Sequence, residues 1–112
     1  MPSFLNRFKR KKLSANAPAA SSRQAQNNTV SHFTQFSQTR VGVEAYFEHA
    51  TNEQPTTLLL IAATGEWTRR RVPNINEARK IAKTLQIPFY DVNFSGYPQR
   101  MRDWNSAQRK KR

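Results

Sequence analysis

The chain has 112 residues, 37% of them hydrophobic and none cysteine, with 19 Lys and Arg against 7 Asp and Glu for a formal net charge of +12 at pH 7. That length holds one small domain, and the lack of cysteine excludes a disulfide framework and a thiolate metal site. The longest apolar run, Leu58 to Ala63, is six residues, far short of the ~20 that a membrane-spanning helix needs.

Residues 1–40 carry seven basic residues and no acidic one. Within Met1 to Leu13, Phe4, Leu5 and Phe8 could share one helical face, with Arg7, Lys9, Arg10, Lys11 and Lys12 around and after them. This is a short basic amphipathic patch. Residues 14–38 are mostly Ser, Ala, Asn, Gln and Thr with Pro18, and so little apolar surface is not expected to offset the entropy of ordering the backbone. The segment reads as a disordered linker. An acid-free start containing Arg and Ser also fits an organelle transit peptide, although a basic cluster followed by a polar tract fits it less well. No apolar stretch of seven or more follows the cluster, as a secretory signal requires.

Residues 41–98 carry six basic and six acidic residues and read as the folded unit. Val41, Val43, Ala45 and Phe47 alternate with Gly42, Glu44, Tyr46 and Glu48, the period of a half-buried strand over Val41 to Ala50. Thr51 to Pro55 is turn-rich. Thr56 to Ala63 is a continuous apolar run, as in a central strand covered on both faces. Thr64-Gly65 supplies a tight turn, with Gly65 available for a positive φ. Glu66 to Val72 then returns as a third strand, with Trp67, Arg69 and Arg71 on one face and Glu66, Thr68, Arg70 and Val72 on the other. Which of these faces meets the core is left open.

After Pro73, Asn74-Ile75-Asn76-Glu77 has the spacing of a capping box. Ile75, Ala78, Ile81, Ala82 and Leu85 then recur as one helical stripe, with Arg79, Lys80 and Lys83 opposite. This helix should end near Gln86, before Pro88. Ile87 to Phe94 reads as a fourth strand and Ser95-Gly96-Tyr97-Pro98 as a turn. Residues 99–112 carry Arg100, Arg102, Arg109, Lys110, Lys111 and Arg112 against Asp103, a basic helix or tail with Met101 and Trp104 three apart.

The fold expected is α+β: a small, mainly antiparallel sheet in β-β-β-α-β order with one packed helix, the simplest two-layer arrangement for that order. It is flanked by a disordered basic segment at 1–40 and a basic helix or tail at 99–112. A core of about 58 residues is marginal for independent stability, so association into a homodimer or binding to a partner is a further source of it.

Three strings carry a resemblance: Gly65-Glu66-Trp67-Thr68-Arg69-Arg70-Arg71-Val72-Pro73, Ile87-Pro88-Phe89-Tyr90-Asp91, and Gly96-Tyr97-Pro98-Gln99-Arg100-Met101-Arg102-Asp103. Over residues 42–104 the chain resembles a family of small, basic, functionally uncharacterised actinobacterial proteins. The resemblance implies a bacterial cytoplasmic setting, against the transit-peptide reading, and implies no activity or site.

Catalytic constellations are not evident in the sequence. His32 lies in the expected linker and His49 at a strand end, neither with a spaced partner, whereas a metal site needs three or more ligands and a general base an orienting group. Glu44 and Glu48 share a strand face and read as solvated carboxylates. Gly42, Gly65 and Gly96 lie too far apart for a phosphate-cradling loop or a dinucleotide fingerprint. No enzyme, cofactor, metal or small-molecule substrate is therefore expected.

Basic and aromatic residues form the stronger signal. Trp67 stands beside Arg69, Arg70 and Arg71, which either contact phosphates or pair with Glu44, Glu48 or Glu66 across strands. Tyr97, Arg100, Arg102 and Trp104 form a second cluster, in which Trp104 suits packing on the sheet better than stacking on bases. The acid-free blocks Arg7-Phe8-Lys9-Arg10-Lys11-Lys12 and Arg109-Lys110-Lys111-Arg112 each match several phosphates through counterion release. A neutral globule with basic ends has the layout of ribosomal proteins whose tails thread into RNA. The expected partner is nucleic acid, RNA or a ribonucleoprotein in preference to DNA. The alternative is a protein-interaction or anionic-membrane-surface module using Phe4, Leu5 and Phe8.

Overall fold

A computed structural model describes residues 19–111. In chain order the elements are α1 (Ala19–Thr39), β1 (Glu44–Glu48), β2 (Thr57–Ile61), β3 (Trp67–Arg71), α2 (Ile75–Leu85), β4 (Phe89–Asp91), the single turn α3 (Val92–Ser95) and α4 (Gln99–Lys110). No described helix is long and apolar enough to cross a membrane.

The protein is α+β, with a four-stranded sheet in the order β3-β2-β1-β4. β1 pairs antiparallel with β2, and β2 with β3, but β4 runs parallel to β1. The sheet is therefore mixed, correcting the expectation of a mainly antiparallel one, and its order in space departs from the order along the chain. A parallel pair needs a crossover connection, and α2 supplies it. Helix α2 packs against β1, so the chain leaving it meets the free edge of β1. There Ala45 N donates to Pro88 O.

All five residues of β2 are buried, as its apolar run predicts. On one face Ala45, Phe47, Leu58 and Leu60 pack with Phe33 and Phe36 of α1 and with Ala78 and Ala82 of α2. On the other, Tyr46, Leu59 and Ile61 pack with Met101 of α4, flanked by Trp67 and Val92. Each large aliphatic side chain buried this way contributes roughly 1.5–3 kcal/mol. More than one helix is packed, and the sheet is covered on both faces.

Helix α2 begins where the capping pattern places it. The Asn74 side chain accepts from Glu77 N at 2.9 Å, while the Glu77 carboxylate pairs with Lys80 and does not turn back to the cap. Gln86 closes the helix with φ 58°, in the left-handed region, and its N–H reaches the Ala82 and Lys83 carbonyls. Gly65 has φ +97°, and a Cβ there would collide with the Arg100 carbonyl and the Trp104 Cβ. Only glycine lets α4 approach the β2–β3 turn so closely.

The expected linker at 14–38 is corrected over 19–39, which is helical. Its polar composition conceals Val30, Phe33 and Phe36 at successive three-residue steps, and Phe33 and Phe36 are 0% and 5% exposed. Docking that end supplies the stability that intrinsic propensity lacks. The folded unit thus begins ahead of residue 41. The fourth strand is shorter than expected and turns at Val92 into α3, where the Asp91 side chain accepts from Asn93 N.

Phe33→Ala should lower stability by about 3–5 kcal/mol, read as a lower midpoint of urea unfolding. An unchanged midpoint would place α1 outside the cooperative unit.

Candidate nucleic-acid interface

Strand alternation puts Glu44, Tyr46 and Glu48 on the face covered by α4. Their neighbours across the sheet are Ile61, Leu59 and Thr57, and beyond these Trp67, Arg69 and Arg71. Arg69 lies on the same face as Glu48 and binds it with two parallel hydrogen bonds, Nε to Oε1 at 2.7 Å and Nη2 to Oε2 at 2.9 Å. Thr57 Oγ1 donates to Glu48 Oε1 at 2.6 Å, and the Tyr97 hydroxyl donates to Oε2. Burial pushes the Glu48 carboxyl up, but the bonds from Arg69, Thr57 and Tyr97 outweigh it and hold the group below the ordinary carboxylate range. Burial, and then the Glu48 carboxylate, push the Tyr97 hydroxyl up to about 12.

Four residues back along β1, on the same face, Glu44 has a comparable role. Arg100 Nη2 donates to Glu44 Oε1 at 2.6 Å and Arg100 Nε to Ala62 O at 2.9 Å, fastening the start of α4. The Tyr46 hydroxyl also donates to Glu44, and burial, then Glu44, push it up to about 12. Glu44 and Glu48 are thus half-buried and ion-paired, not the solvated carboxylates the sequence suggests.

Several expected contact residues are committed inside the fold. Arg69 and Arg100 hold carboxylates. Trp67 is half-buried, its Nε1 donates to Asn105 Oδ1 at 2.8 Å, and the Arg69 guanidinium covers its ring at 5.0 Å. The cross-strand pairing that the sequence offers for the arginines of β3 is made by Arg69 with Glu48. Trp104 is half-buried against Gly65, consistent with packing. Tyr97 is held at Glu48.

Arg70 and Arg71 are exposed on β3, an edge strand, and Arg102, Arg109, Lys110 and Lys111 are exposed on or just after α4. Arg102 and Arg109 donate only to the neutral Gln99 and Ser106 of their own helix. Because Asn105 sits on Trp67, the basic last turn of α4 starts from the β3 border of the sheet. Arg7, Lys9, Arg10, Lys11, Lys12 and Arg112, with the Phe4, Leu5 and Phe8 patch, lie outside the described residues.

Glu66 and Asp91 are also engaged. Arg40 binds Glu66 at 2.6 Å, and His49 lies 2.7 Å from Asp91. The hydrogen bond from His49 holds the Asp91 carboxyl below its ordinary value. His32 contacts Thr68 and Arg70. Both histidines thus have partners that linear spacing did not reveal, because these join residues 36 to 42 positions apart. Arg40, Thr68 and His32 were missed as a group for the same reason. Among the described residues, no cluster of three or more His, Asp or Glu could hold a metal.

Glu48→Gln should cost about 2 kcal/mol at neutral pH, the scale of hydrogen bonds to a charged group. The Glu48 contribution is present above the unfolded carboxyl pKa and is lost as pH falls through the lower folded value. Urea midpoints measured down the acid range should therefore fall less steeply in Glu48→Gln than in the parent chain. Parallel profiles would remove Glu48 as the source.

Comparison with family models, curated proteins and solved structures gives no match for the chain.

Proposed function

We propose that the protein is a non-catalytic nucleic-acid-binding protein that contacts phosphates through the exposed cations of β3 and α4 and through its basic termini. The observation carrying this reading is how the acids are spent. Glu44, Glu48, Glu66, Glu77 and Asp91 each hold a basic partner within the fold. Arg70, Arg71, Arg102, Arg109, Lys110 and Lys111 are exposed and pair with no carboxylate among the described residues. Like charges exposed in this way repel one another, and a polyanion relieves that repulsion.

RNA, free or in a ribonucleoprotein, is preferred to DNA. Structured RNA is recognised largely by shape and by phosphate and 2′-hydroxyl contacts, which cations at a strand edge and a helix end can supply. Arg69, Arg100 and Trp67 support this surface from within and do not touch the ligand.

Binding of the full chain to an RNA hairpin, a matched DNA duplex and anionic vesicles, measured across salt concentration, tests the reading. The hairpin should bind best, with affinity falling as salt rises. Arg71→Gln should reduce the log-log salt slope by roughly 0.7–0.9, the value of one phosphate contact. Neutralising Arg109, Lys110 and Lys111 together should reduce it by up to about three times that. Equal binding to duplex DNA would remove the RNA preference, and tighter binding to vesicles would replace nucleic acid by a membrane surface.

A further inference from the structure

A second cationic feature lies on the other face of β3, in a cleft between that strand and α1. His32, Gln35, Phe36 and Arg40 line one wall and Glu66, Trp67 and Thr68 the other, around a volume of about 220 Å³. His32 and Phe36, four apart, lie on one face of α1, and Arg40, just past its end, extends the line. Val72 N donates to Thr56 O and Ala62 N to Glu66 O, so antiparallel alternation turns the backbone N–H and C=O of Trp67, Arg69 and Arg71 away from β2. The strand border beside the cleft is therefore polar.

The hydrogen bonds fix the state of the histidine. Arg70 Nη2 lies 3.3 Å from His32 Nδ1, and His32 Nε2 lies 2.6 Å from Thr68 Oγ1. A guanidinium only donates, so the assignment consistent with both contacts has Nδ1 accepting and Nε2–H donating to the threonine on a neutral ring. Burial, then Arg70 and Arg40, hold its pKa below the ordinary value. Arg40 lies over the Phe36 ring at 4.4 Å and gives Nη2 to Glu66. Its buried Nε has no acceptor among the described residues. Among the described residues Glu66 is the only carboxylate lining the cleft, and it is matched by Arg40. Arg70, beside the cleft, pairs with no carboxylate among the described residues.

We propose that this cleft binds a phosphate monoester dianion, with Arg70 as a movable clamp and His32 as the group that takes up a proton. In the free protein Arg70 is exposed and held only by a long contact to His32 and by a bond from Nη1 to the Arg69 carbonyl. It can turn to grip two phosphate oxygens. That releases His32 Nδ1, which takes one proton from solvent and donates to a third oxygen. Arg70 and protonated His32 then supply two positive charges beyond the Arg40–Glu66 pair. That balance selects a dianion over the single charge of a backbone phosphodiester. The titratable and charged groups facing His32 are Arg70 from β3, Arg40 from the end of α1, and Glu66 ahead of β3. A small phosphate ester and a phosphorylated nucleic-acid end share this chemistry, so the site does not depend on the nucleic-acid reading.

Proton NMR of the full chain resolves the test, following both histidine rings during addition of inorganic phosphate and then adenosine monophosphate, with chloride at equal ionic strength as the control. Phosphate should move the His32 resonances, leave those of His49 in place, and raise the His32 titration midpoint by about one pH unit, the scale set by a nearby opposite charge. Arg70→Gln, at an exposed site that the fold tolerates, should abolish the response, and Lys83→Gln, at an exposed position of α2, should not. No His32 response at millimolar phosphate overturns the proposal, as does a response that both histidines share or one that survives Arg70→Gln. A hairpin RNA with a 5′-phosphate, compared with its 5′-hydroxyl form, identifies the source. Tighter binding of the phosphorylated form assigns the site to nucleic-acid ends. Equal binding with an intact His32 response assigns it to small esters. An intact His32 response with no salt-dependent RNA binding keeps the pocket and removes the proposed nucleic-acid function.

Discussion

Burial of β2 on both faces is the constraint from which the rest of the architecture follows. Five consecutive buried residues at the centre of a sheet require two covering layers, and a short chain has few apolar helices to offer. Helices α1 and α2 cover one face with Phe33, Phe36, Ala78 and Ala82. The other face receives α4, whose one buried residue is Met101. A helix that polar cannot be held by hydrophobic burial alone. Ion pairs and hydrogen bonds complete the layer, with Glu44 receiving Arg100 and Glu48 receiving Arg69, Thr57 and Tyr97. Both carboxylates keep partial contact with water, so their desolvation cost stays below that of a fully buried pair.

Using acids in this way has an electrostatic consequence. A chain with seven carboxylate side chains against 19 Lys and Arg gives most of those carboxylates to internal partners, and the unmatched cations accumulate on the surface. Edge strand β3 shows both roles side by side. Arg69 faces inward and is structural, whereas Arg70 and Arg71 are exposed. Cations on an open strand edge also discourage pairing with another sheet, while leaving charge available to a polyanion. The same strand sorts two candidate phosphate contacts, with Arg71 on the α4 side and Arg70 turned toward the α1 cleft.

Much of the sheet was legible along the chain because period-two alternation and a continuous apolar run are local signals. The capping residue Asn74 and the stripe ending at Leu85 are local too, and α2 follows them. Helix α1 was not legible, because averaging over a polar tract hides two phenylalanines that matter only once a sheet is there to receive them. The direction of β4 was also hidden, since alternation cannot distinguish a parallel neighbour from an antiparallel one. For the arginines at 69–71 the pattern showed which shared a side, but not that Glu48 would lie within reach of one.

The sequence by itself determined the total charge, its concentration toward the two ends, the strands β1 to β3 and the helix α2, because each is set by residue type and near-neighbour spacing. Only the tertiary structure decided which cations are neutralised and which remain exposed, where β4 lies, and that His32, Thr68 and Arg40 share one cleft with Arg70 beside it. Those outcomes depend on pairings between residues tens of positions apart. The burial of β2 creates such pairings when it draws helices onto both faces of the sheet, and no local pattern records them.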